Sequence, residues 1–325
     1  MTSIRPHIKA MLDPALHAAV DELHPLAYGE PPAPHHDLPA HVRAASAIRR
    51  LQRHLVIVQD DVNAFAIFDP EDGDVFPVML PRGPGERRTF DDIIGNKRHK
   101  MDLEALALLP DERLVAFGSG ASAPRESLAV LSRREPPFVR DGAELYRSLR
   151  AQSAFAGSQL NIEGAVVAGG RLLLFQRGNG AVSAGRAPNN AIATIDLETF
   201  VRWLDSRGPL PPLLDVTPFD LGEIGGSPLG FTDAALARDG RIAVIACAED
   251  SADALTDGPV LGCRFGWLEP GGALRMTDVI EDGRPTRLKL EGIEGRPDTT
   301  GEFDVVADGD DPLAPSLLGR LAVRE

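Results

Sequence analysis

A repeat of nearly constant length constrains the fold of this chain more than any other feature. A polar residue followed by small and apolar residues recurs five times, and we call these five polar positions the anchor positions: Ser46, Glu104, Glu163, Asp233 and Glu291. The intervals between them are 58, 59, 70 and 58 residues. Each anchor is followed by two more short apolar runs that end in Gly, Asn or Asp, which is typical of antiparallel meanders. Repeats of several strands each are the signature of a β-propeller.

The predicted fold is therefore an all-β propeller with five blades. The longest interval, 70 residues, is too short to contain a complete sixth blade. A parallel sheet with crossover helices is the alternative, but helical segments are too few to alternate with every strand. The 32 glycines and 27 prolines, scattered between apolar runs, agree with many short strands and turns.

The last repeat ends at Glu325 after only three strands, so we expect an N-terminal segment to supply its outer strand and close the ring. Residues 1–40 are predicted to be an N-terminal extension that contains a short helix and this ring-closing segment, and residues 41–325 to be a single propeller domain. The helix is predicted from Pro14 to Leu23. Two more short helices are predicted in connections, at 141–152 and 197–206.

Composition restricts the partners. The chain has 34 basic and 48 acidic residues and a formal charge of −14, which argues against nucleic-acid binding. It contains no apolar run of about 20 residues and no apolar core of a secretory signal, so no membrane association is expected and the predicted location is cytoplasmic. We expect a monomer. The two cysteines, Cys247 and Cys263, are predicted to be buried free thiols.

The anchors predict a metal site. If the first strand of every blade lines a central channel, Glu104, Glu163, Asp233 and Glu291 converge at one mouth, with Ser46 in the fifth place. Carboxylates so close together repel each other unless a cation neutralises them, and calcium tolerates irregular oxygen coordination. Two alternatives stay open: the acids cap strands and bind backbone amides, or they act directly in catalysis, with Glu163 and Glu104 as the candidates.

Basic and polar residues lie close to the anchors in sequence. Gly-Ser-Gly turns expose backbone N–H groups that can hold a phosphate or carboxylate beside a guanidinium. The predicted ligand-binding residues are Lys100, Ser119, Ser122, Arg125, Arg177 and Asn179. The alternative is that the bases only neutralise the acidic ring through salt bridges between blades.

At these residues the sequence resembles bacterial β-propellers related to the phytase-like esterases and the lactonase-type propellers. The resemblance rests on Lys-x-Asp-Leu-Glu-Ala from Lys100, Gly-Ser-Gly-x-Ser-x-x-Arg from Gly118, Asn-Ile-Glu-Gly from Asn161 and Arg-Gly-Asn from Arg177. It implies calcium on Glu104, Glu163, Asp233 or Glu291, and a six-bladed ring as the alternative blade count. The histidine-bearing and multi-lysine phosphate sites of true phytases have no counterpart here.

Two functions follow from this reading. The first is a binding protein whose acidic, calcium-binding channel and Lys/Arg/Ser rim hold a small anionic molecule. The second is a metal-assisted hydrolase of a phosphoester, carboxyl ester or lactone, in which a bound cation polarises the substrate and a ring carboxylate acts as base. Seven of the eight histidines lie at or before His54 and the last is His99, which disfavours a serine-hydrolase triad.

Overall fold

Short antiparallel β-strands make up most of the regular structure. The computed structural model describes residues 2–183, 185–250 and 258–325. Its N-terminal segment contains β1 (Ser3–Ile4), β2 (Ile8–Lys9), β3 (Met11–Leu12) and β4 (His17–Pro25). Four short 3₁₀ turns lie in connections of the described chain, at Pro34–His36, Pro84–Glu86, Lys97–His99 and Ala123–Arg125. The predicted all-β class is confirmed.

The remaining strands form five successive antiparallel meanders within the described residues. Meander I contains β5 (Ala45–Leu51), β6 (His54–Gln59), β7 (Ala64–Phe68) and β8 (Val75–Met79). Meander II contains β9 (Leu103–Leu108), β10 (Leu114–Gly118), β11 (Ser127–Leu131) and β12 (Phe138–Asp141). Meander III contains β13 (Ile162–Ala168), β14 (Arg171–Gln176), β15 (Asn190–Asp196) and β16 (Leu213–Asp220).

Meander IV follows the short strand β17 (Glu223–Ile224) and contains β18 (Ser227–Leu236), β19 (Ile242–Glu249), β20 (Val260–Leu268) and β21 (Leu274–Glu281). After β22 (Arg284–Pro285), meander V contains β23 (Lys289–Gly295), β24 (Glu302–Asp308) and β25 (Leu317–Arg324). Its fourth strand is β4, from the N-terminal segment. Meanders I and II are separate four-stranded sheets, meander III is extended by β1 and β2, and meanders IV and V belong to one sheet.

Strand β4 occupies the segment for which a helix was predicted. It pairs antiparallel with β25 from His17↔Arg324 to Pro25↔Leu317, and its other edge pairs parallel with β21 at Ala18 and Ala19. The helix prediction for 14–23 was wrong because the burial period is two. Ala18 and Val20 are buried while His17, Ala19 and Asp21 are exposed, which is the alternation of a strand.

Helices are confined to the connections around meander III. They are α1 (Ala143–Ala151), α2 (Ser153–Ala156) and α3 (Leu197–Leu204), so the helices predicted at 141–152 and 197–206 are confirmed. Tyr146 and Phe200 from these helices are fully buried against the strands of meanders II and III. Among the described residues, no helix is long and apolar enough to cross a membrane.

The first strand of each meander contacts the first strand of the next meander, and the last of them contacts the first. Strand β5 contacts β9, β9 contacts β13, β13 contacts β18, β18 contacts β23, and β23 contacts β5. Glycines permit the close approach at two of these contacts. A Cβ at Gly164 would lie 3.3 Å from the Cα of Asp233 on β18, and a Cβ at Gly292 would lie 3.0 Å from the Cα of Ala47 on β5. This explains why glycine follows Glu163 and Glu291 in the repeat.

Substituting Gly292 by alanine is expected to destabilise the protein by about 1 to 3 kcal/mol, because the new methyl group overpacks the β5–β23 contact. It would lie 2.7 Å from Cγ2 of Val306 as well as against β5. Chemical denaturation measures the change. Gly271→Ala is the matched control, since no atom lies within 4 Å of its Cβ position. Equal stability of the two variants would contradict the packing account.

The two cysteines form a disulfide, so the prediction of free thiols was wrong. Cys247 on β19 lies directly opposite Cys263 on β20, and their Cα atoms are 4.1 Å apart. The sequence count could not reveal this, because the pairing depends on the register of two neighbouring strands. Both residues are buried.

Candidate functional site

A β-bulge interrupts the first strand of every meander at one position. The ladder skips a single residue in each of β5, β9, β13, β18 and β23, and these bulge residues are Ser46, Glu104, Glu163, Thr232 and Glu291. A bulge leaves one residue unpaired and redirects its side chain. Four of the five anchor positions are therefore bulge residues. In meander IV the equivalent residue is Thr232, one position before the predicted Asp233.

Asp233 does not join the other predicted metal ligands, and its assignment as a metal ligand is corrected here. Arg49 donates to both of its carboxylate oxygens at 2.9 Å, and the backbone N–H of Ile293 donates to Oδ2 at 3.0 Å. Asp233 is completely buried and Arg49 is 5% exposed. Its oxygens are occupied by the protein's own donors, and Asp233 does not line the cavity described next.

The other predicted acidic residues meet in one cavity of about 70 Å³, which we call the mouth cavity. It is lined by Glu104, Glu163 and Glu291, by the bulge residue Ser46, and by side chains from the turns around them. Among the described residues that line it, seven are acidic and five are basic: Asp60, Asp102, Glu104, Glu163, Glu291, Asp308 and Asp310, with Lys97, Lys100, Arg125, Arg177 and Lys289. A cavity of about 10 to 15 Å³ by this measure holds one water molecule, so the mouth cavity has room for an ion with several waters.

Lys100 links meanders I and II on one side of the mouth cavity. Its ammonium lies 2.5 Å from Oδ2 of Asp60 and 2.6 Å from Oδ1 of Asp102. Arg125 contacts the second oxygen of Asp102 at 2.8 Å. Burial lowers the pKa of Lys100, but the neighbouring carboxylates Asp102, Asp60 and Glu104 outweigh it and raise that pKa well above its usual value. Lys100 is therefore a fixed positive charge.

Glu249 links meanders III, IV and V on the other side. Its Oε1 lies 2.6 Å from the guanidinium of Arg177 and 3.8 Å from the ammonium of Lys289. Arg177 also lies 3.5 Å from Glu163, and Lys289 lies 3.2 Å from Glu291. Lys100, Arg125, Arg177 and Lys289 are thus all ion-paired, as the alternative prediction of salt bridges between repeats requires.

The predicted ligand-binding residues divide into two groups. Lys100, Arg125, Arg177 and Asn179 line the mouth cavity, whereas Ser119 and Ser122 do not. Ser119 is completely buried behind Asp102, to which its hydroxyl donates a hydrogen bond. Ser122 is exposed on the turn before Arg125.

Three glutamates in the mouth cavity favour their protonated form. Burial raises the pKa of Glu104 well above its usual range, and Asp102, Glu163 and Asp60 add to the effect. Burial also raises the pKa of Glu291 well above normal, against the influence of Lys289. The pKa of Glu163 is raised to about 7 by burial, although Arg177 and Lys289 oppose the shift. Such groups either hold protons or bind a cation in their place.

Two observations indicate where a cation could bind. Oε2 of Glu291 accepts no hydrogen bond from the described residues, although Glu291 is only 5% exposed. Carboxylate oxygens of Asp60, Asp102 and Glu104 lie within 4.8 Å of one another, a spacing that suits a shared metal ion. Because the Lys100 ammonium already contacts Asp60 and Asp102, a metal ion in this triad would compete with it.

Sequence reasoning missed several residues of this site. Asp60 directly follows the second strand β6 and Glu249 ends the second strand β19, so in the sequence both look like ordinary polar residues at a turn. Asp308 ends β24 and Asp310 lies in the turn that follows it, and both line the mouth cavity. The repeat could have indicated these residues. The second strand of each meander runs antiparallel to the first, so the turn after the second strand lies at the same end of the meander as the start of the first strand.

The raised pKa values predict that the metal-free protein loses stability as the pH rises. The folded-state pKa values of Asp61, Glu163 and Glu294 are each raised to about 7, whereas ordinary values are near 4. Between pH 4 and 7 the folded state binds more protons than the unfolded state, so the free energy of unfolding falls through this window. We expect melting in EDTA to occur a few degrees lower at pH 8 than at pH 5.5. A melting temperature that is constant or rises with pH would contradict these assignments.

Bulged antiparallel meanders around an acidic, ion-paired cavity define a propeller-like all-β protein. The chain belongs to a family of unknown function, DUF6929, whose sequence model matches residues 41–323. None of the curated proteins matches the chain.

Several solved structures are similar in fold. Glutaminyl cyclase of Myxococcus xanthus is 13% identical with a TM-score of 0.47, over 98% of this chain and 100% of that one. A putative gluconolactonase is 10% identical with a TM-score of 0.41, over 97% of this chain and 95% of that one. Virginiamycin B lyase from Staphylococcus aureus is 10% identical with a TM-score of 0.40, over 94% of this chain and 99% of that one. The relationship to phytase-like propellers stays a prediction.

Proposed function

We propose that this protein is a five-bladed propeller whose mouth cavity binds calcium and, through it, a small anionic molecule. The observation that carries the proposal is the convergence of Glu104, Glu163 and Glu291 from three different meanders on one small cavity. Carboxylate oxygens are the ligands that calcium prefers, and water molecules in the cavity would complete its six to eight ligands.

Two features of the fold support the five-bladed ring. The contacts of the first strands return from β23 to β5, and β4 adds a fourth strand to the last meander. Each meander then corresponds to one blade, with its first strand beside the central channel. Closure through β4 would leave the bulge residues of meanders II, III and V facing the same mouth.

The ion pairs explain why a cation is favoured over a direct anion site. Each cavity base except Lys97 is held by a carboxylate of the cavity, and Lys97 pairs with Asp92 outside it. An anion that binds these bases directly must break existing pairs in a region where acidic residues outnumber basic ones. Calcium would neutralise the glutamates first, after which Arg125, Arg177 and Lys100 could share an anionic group with the ion.

Calcium titration by calorimetry on EDTA-treated protein tests the proposal. We expect saturable binding to the wild type, and an affinity at least about tenfold weaker, or ~1.4 kcal/mol, for Glu104→Gln and for Glu291→Gln. Glu294→Gln is the matched control, because Glu294 also lies on β23 and has a raised pKa but does not line the mouth cavity. Equal binding by Glu291→Gln and Glu294→Gln, or no binding by the wild type, would refute the site.

Lys100→Gln distinguishes two positions for the ion. If calcium lies among Asp60, Asp102 and Glu104, removing the competing ammonium should strengthen binding. If calcium lies among Glu104, Glu163 and Glu291, the gain should be smaller, since Lys100 contacts Asp60 and Asp102 directly and acts on Glu104 only through its charge. Circular dichroism before the titration establishes that the variant is folded.

A metal-assisted hydrolase is the second candidate, favoured by one observation. Glu163 has a pKa of about 7, and Asn161 orients its carboxylate with a hydrogen bond of 2.6 Å, so Glu163 is suited to accept a proton near neutral pH. A bound cation would supply the polarisation of a substrate oxygen. Screening phosphoesters, carboxyl esters and lactones with and without calcium tests this function. Calcium-dependent turnover that Glu163→Gln abolishes and Glu71→Gln retains would establish it.

A further inference from the structure

A groove of about 510 Å³ lies between meanders III and IV, and we call it the III–IV groove. One wall is a single face of meander III, formed by Leu173, Ile192, Thr194, Asp215, Thr217 and Phe219. The opposite wall contains Ile242, Leu268 and the turns of meander IV beside them, and the N-terminal segment closes the outer side with Arg5 and Ile8. No described residue lines both this groove and the mouth cavity, so the two sites are separate.

Glycines keep the III–IV groove open on the side of meander IV. Gly240 and Gly271 lie in the turns after β18 and β20 and line the groove, and no atom lies within 4 Å of a Cβ built at either position. At the end nearer the bulges the two meanders pack closely, since the rings of Phe219 and Phe231 meet edge-on with centroids 5.6 Å apart. The groove therefore begins where the packing between the two meanders ends.

The apolar side chains of the groove are only partly buried. Leu173, Ile242 and Leu268 pack against the core cluster that contains Phe175 and Phe231, yet each keeps part of its surface exposed. A volume of about 300 to 1,000 Å³ and a lining that is mostly apolar are typical of small-molecule sites. An apolar molecule in the groove would remove these side chains from water, which favours binding.

The charged groups that line the groove are already paired. Arg5 donates to both carboxylate oxygens of Asp215, at 3.0 and 3.1 Å, and the Thr194 hydroxyl donates to Oδ1 of Asp215 at 3.1 Å. Glu269 forms an ion pair with Arg275 at 2.9 Å. A charged ligand would lose its hydration here without gaining an unpaired partner, whereas a neutral ligand has no such cost. The charges therefore favour a neutral ligand.

We propose that the III–IV groove binds a neutral, mostly apolar small molecule. An apolar cavity of about 150 Å³ holds one benzene molecule, so the groove has room for about three rings of that size. One polar group of the ligand has a partner in Thr217, whose hydroxyl makes no hydrogen bond to the described residues. The inference goes beyond the proposed function and does not depend on calcium.

Two fluorescent probes of similar shape test the inference: 1-anilinonaphthalene, which is neutral, and its 8-sulfonate, which is an anion. Both are titrated into the full-length protein in EDTA, so that calcium takes no part. We expect saturable binding of the neutral probe, with an affinity at least about tenfold tighter than that of the sulfonate. If the neutral probe shows no saturable binding, or if the sulfonate binds equally well, the inference is wrong.

Thr217→Trp locates the neutral probe in the groove. Tryptophan is well tolerated in strands such as β16, and its indole ring would occupy part of the space between the two meanders. We expect the affinity for the neutral probe to fall at least about tenfold. Thr277→Trp is the matched control, because Thr277 is also a partly buried strand threonine but does not line the groove. Equal affinities of the two variants would overturn the inference.

A second pair of variants keeps the test decisive if circular dichroism shows that Thr217→Trp is unfolded. Ile8→Asp places a charge on the outer wall of the groove, in the N-terminal segment rather than in a meander. It is expected to weaken the neutral probe by at least about threefold. Ile4→Asp is its control, since Ile4 is 62% exposed in the same segment and does not line the groove. An unchanged affinity of Ile8→Asp, or an equal loss in Ile4→Asp, would contradict the assignment.

Discussion

Replacing Arg49 by methionine is expected to lower the free energy of unfolding by about 3 to 5 kcal/mol, because it leaves Asp233 as a buried carboxylate without its counter-ion. Asp233 is fully buried, and its remaining donor from another strand is the N–H of Ile293. The carboxyl group would either stay charged in an apolar environment or take up a proton, and both outcomes cost stability.

The guanidinium of Arg49 also joins several meanders. It donates to the carbonyl oxygens of Ile293 on β23 and Ala165 on β13, both at 2.9 Å, and to that of Ala234 on β18 at 2.5 Å. Arg49 itself lies on β5, so one side chain connects the first strands of meanders I, III, IV and V. Its loss leaves three buried carbonyl groups with fewer donors, which adds to the expected effect.

Urea denaturation of the purified variant measures the change. Arg53→Met is the control: Arg53 pairs with Asp69 at the surface and its side chain is 55% exposed, so its loss should cost at most about 1 kcal/mol. The double variant Arg49→Met/Asp233→Leu should recover part of the stability, because it removes both charges together. A loss below about 1 kcal/mol for Arg49→Met would contradict the central role of this pair.

Deleting residues 1–25 is expected to abolish cooperative unfolding and to cause aggregation. The deletion removes β4, which lies between β25 and β21, and thereby exposes the full edge of β25. It also removes Leu16, Ala18 and Val20 from the core cluster that contains Trp267 and Phe303. Burial of three apolar side chains alone contributes several kcal/mol.

Deletion of residues 1–12 is the matched control, because it removes β1, β2 and β3 but retains β4. This shorter deletion should leave a soluble, cooperatively unfolding protein. Size-exclusion chromatography and thermal unfolding distinguish the two truncated proteins. If the longer deletion behaves like the shorter one, β4 does not close the last meander in solution.

The strand pattern could be predicted from the sequence because every repeat places short apolar runs between Gly, Asn and Asp turns. The missing fourth strand of the last repeat also indicated that N-terminal residues complete it. The same reasoning assigned 14–23 to a helix, since the apolar residues there fit a helical face as well as a strand. Only the pairing of Ala18 and Ala19 with β21 and of Val20 with Leu321 resolves the ambiguity.

The acidic site was predictable in outline, but not its details. The bulge residues of meanders I to III, Ser46, Glu104 and Glu163, recur at intervals of 58 and 59 residues. Meander IV has a threonine at its bulge and an aspartate next to it, so the sequence alignment of this repeat was wrong by one residue. A shift of one residue in a strand points the side chain to the opposite face, which places Asp233 against Arg49. The end of the meander at which Glu249 lies follows from the repeat, but its ion-pair partner does not, because Arg177 belongs to the neighbouring meander.

Anomalous diffraction from a crystal grown with calcium chloride tests the central claim most directly. We expect one anomalous peak in the mouth cavity, with carboxylate oxygens of Glu104, Glu163 and Glu291 about 2.3 to 2.6 Å from it. A mouth cavity that holds only water at millimolar calcium, with the ion pairs of Lys100, Arg177 and Lys289 unchanged, would contradict the claim.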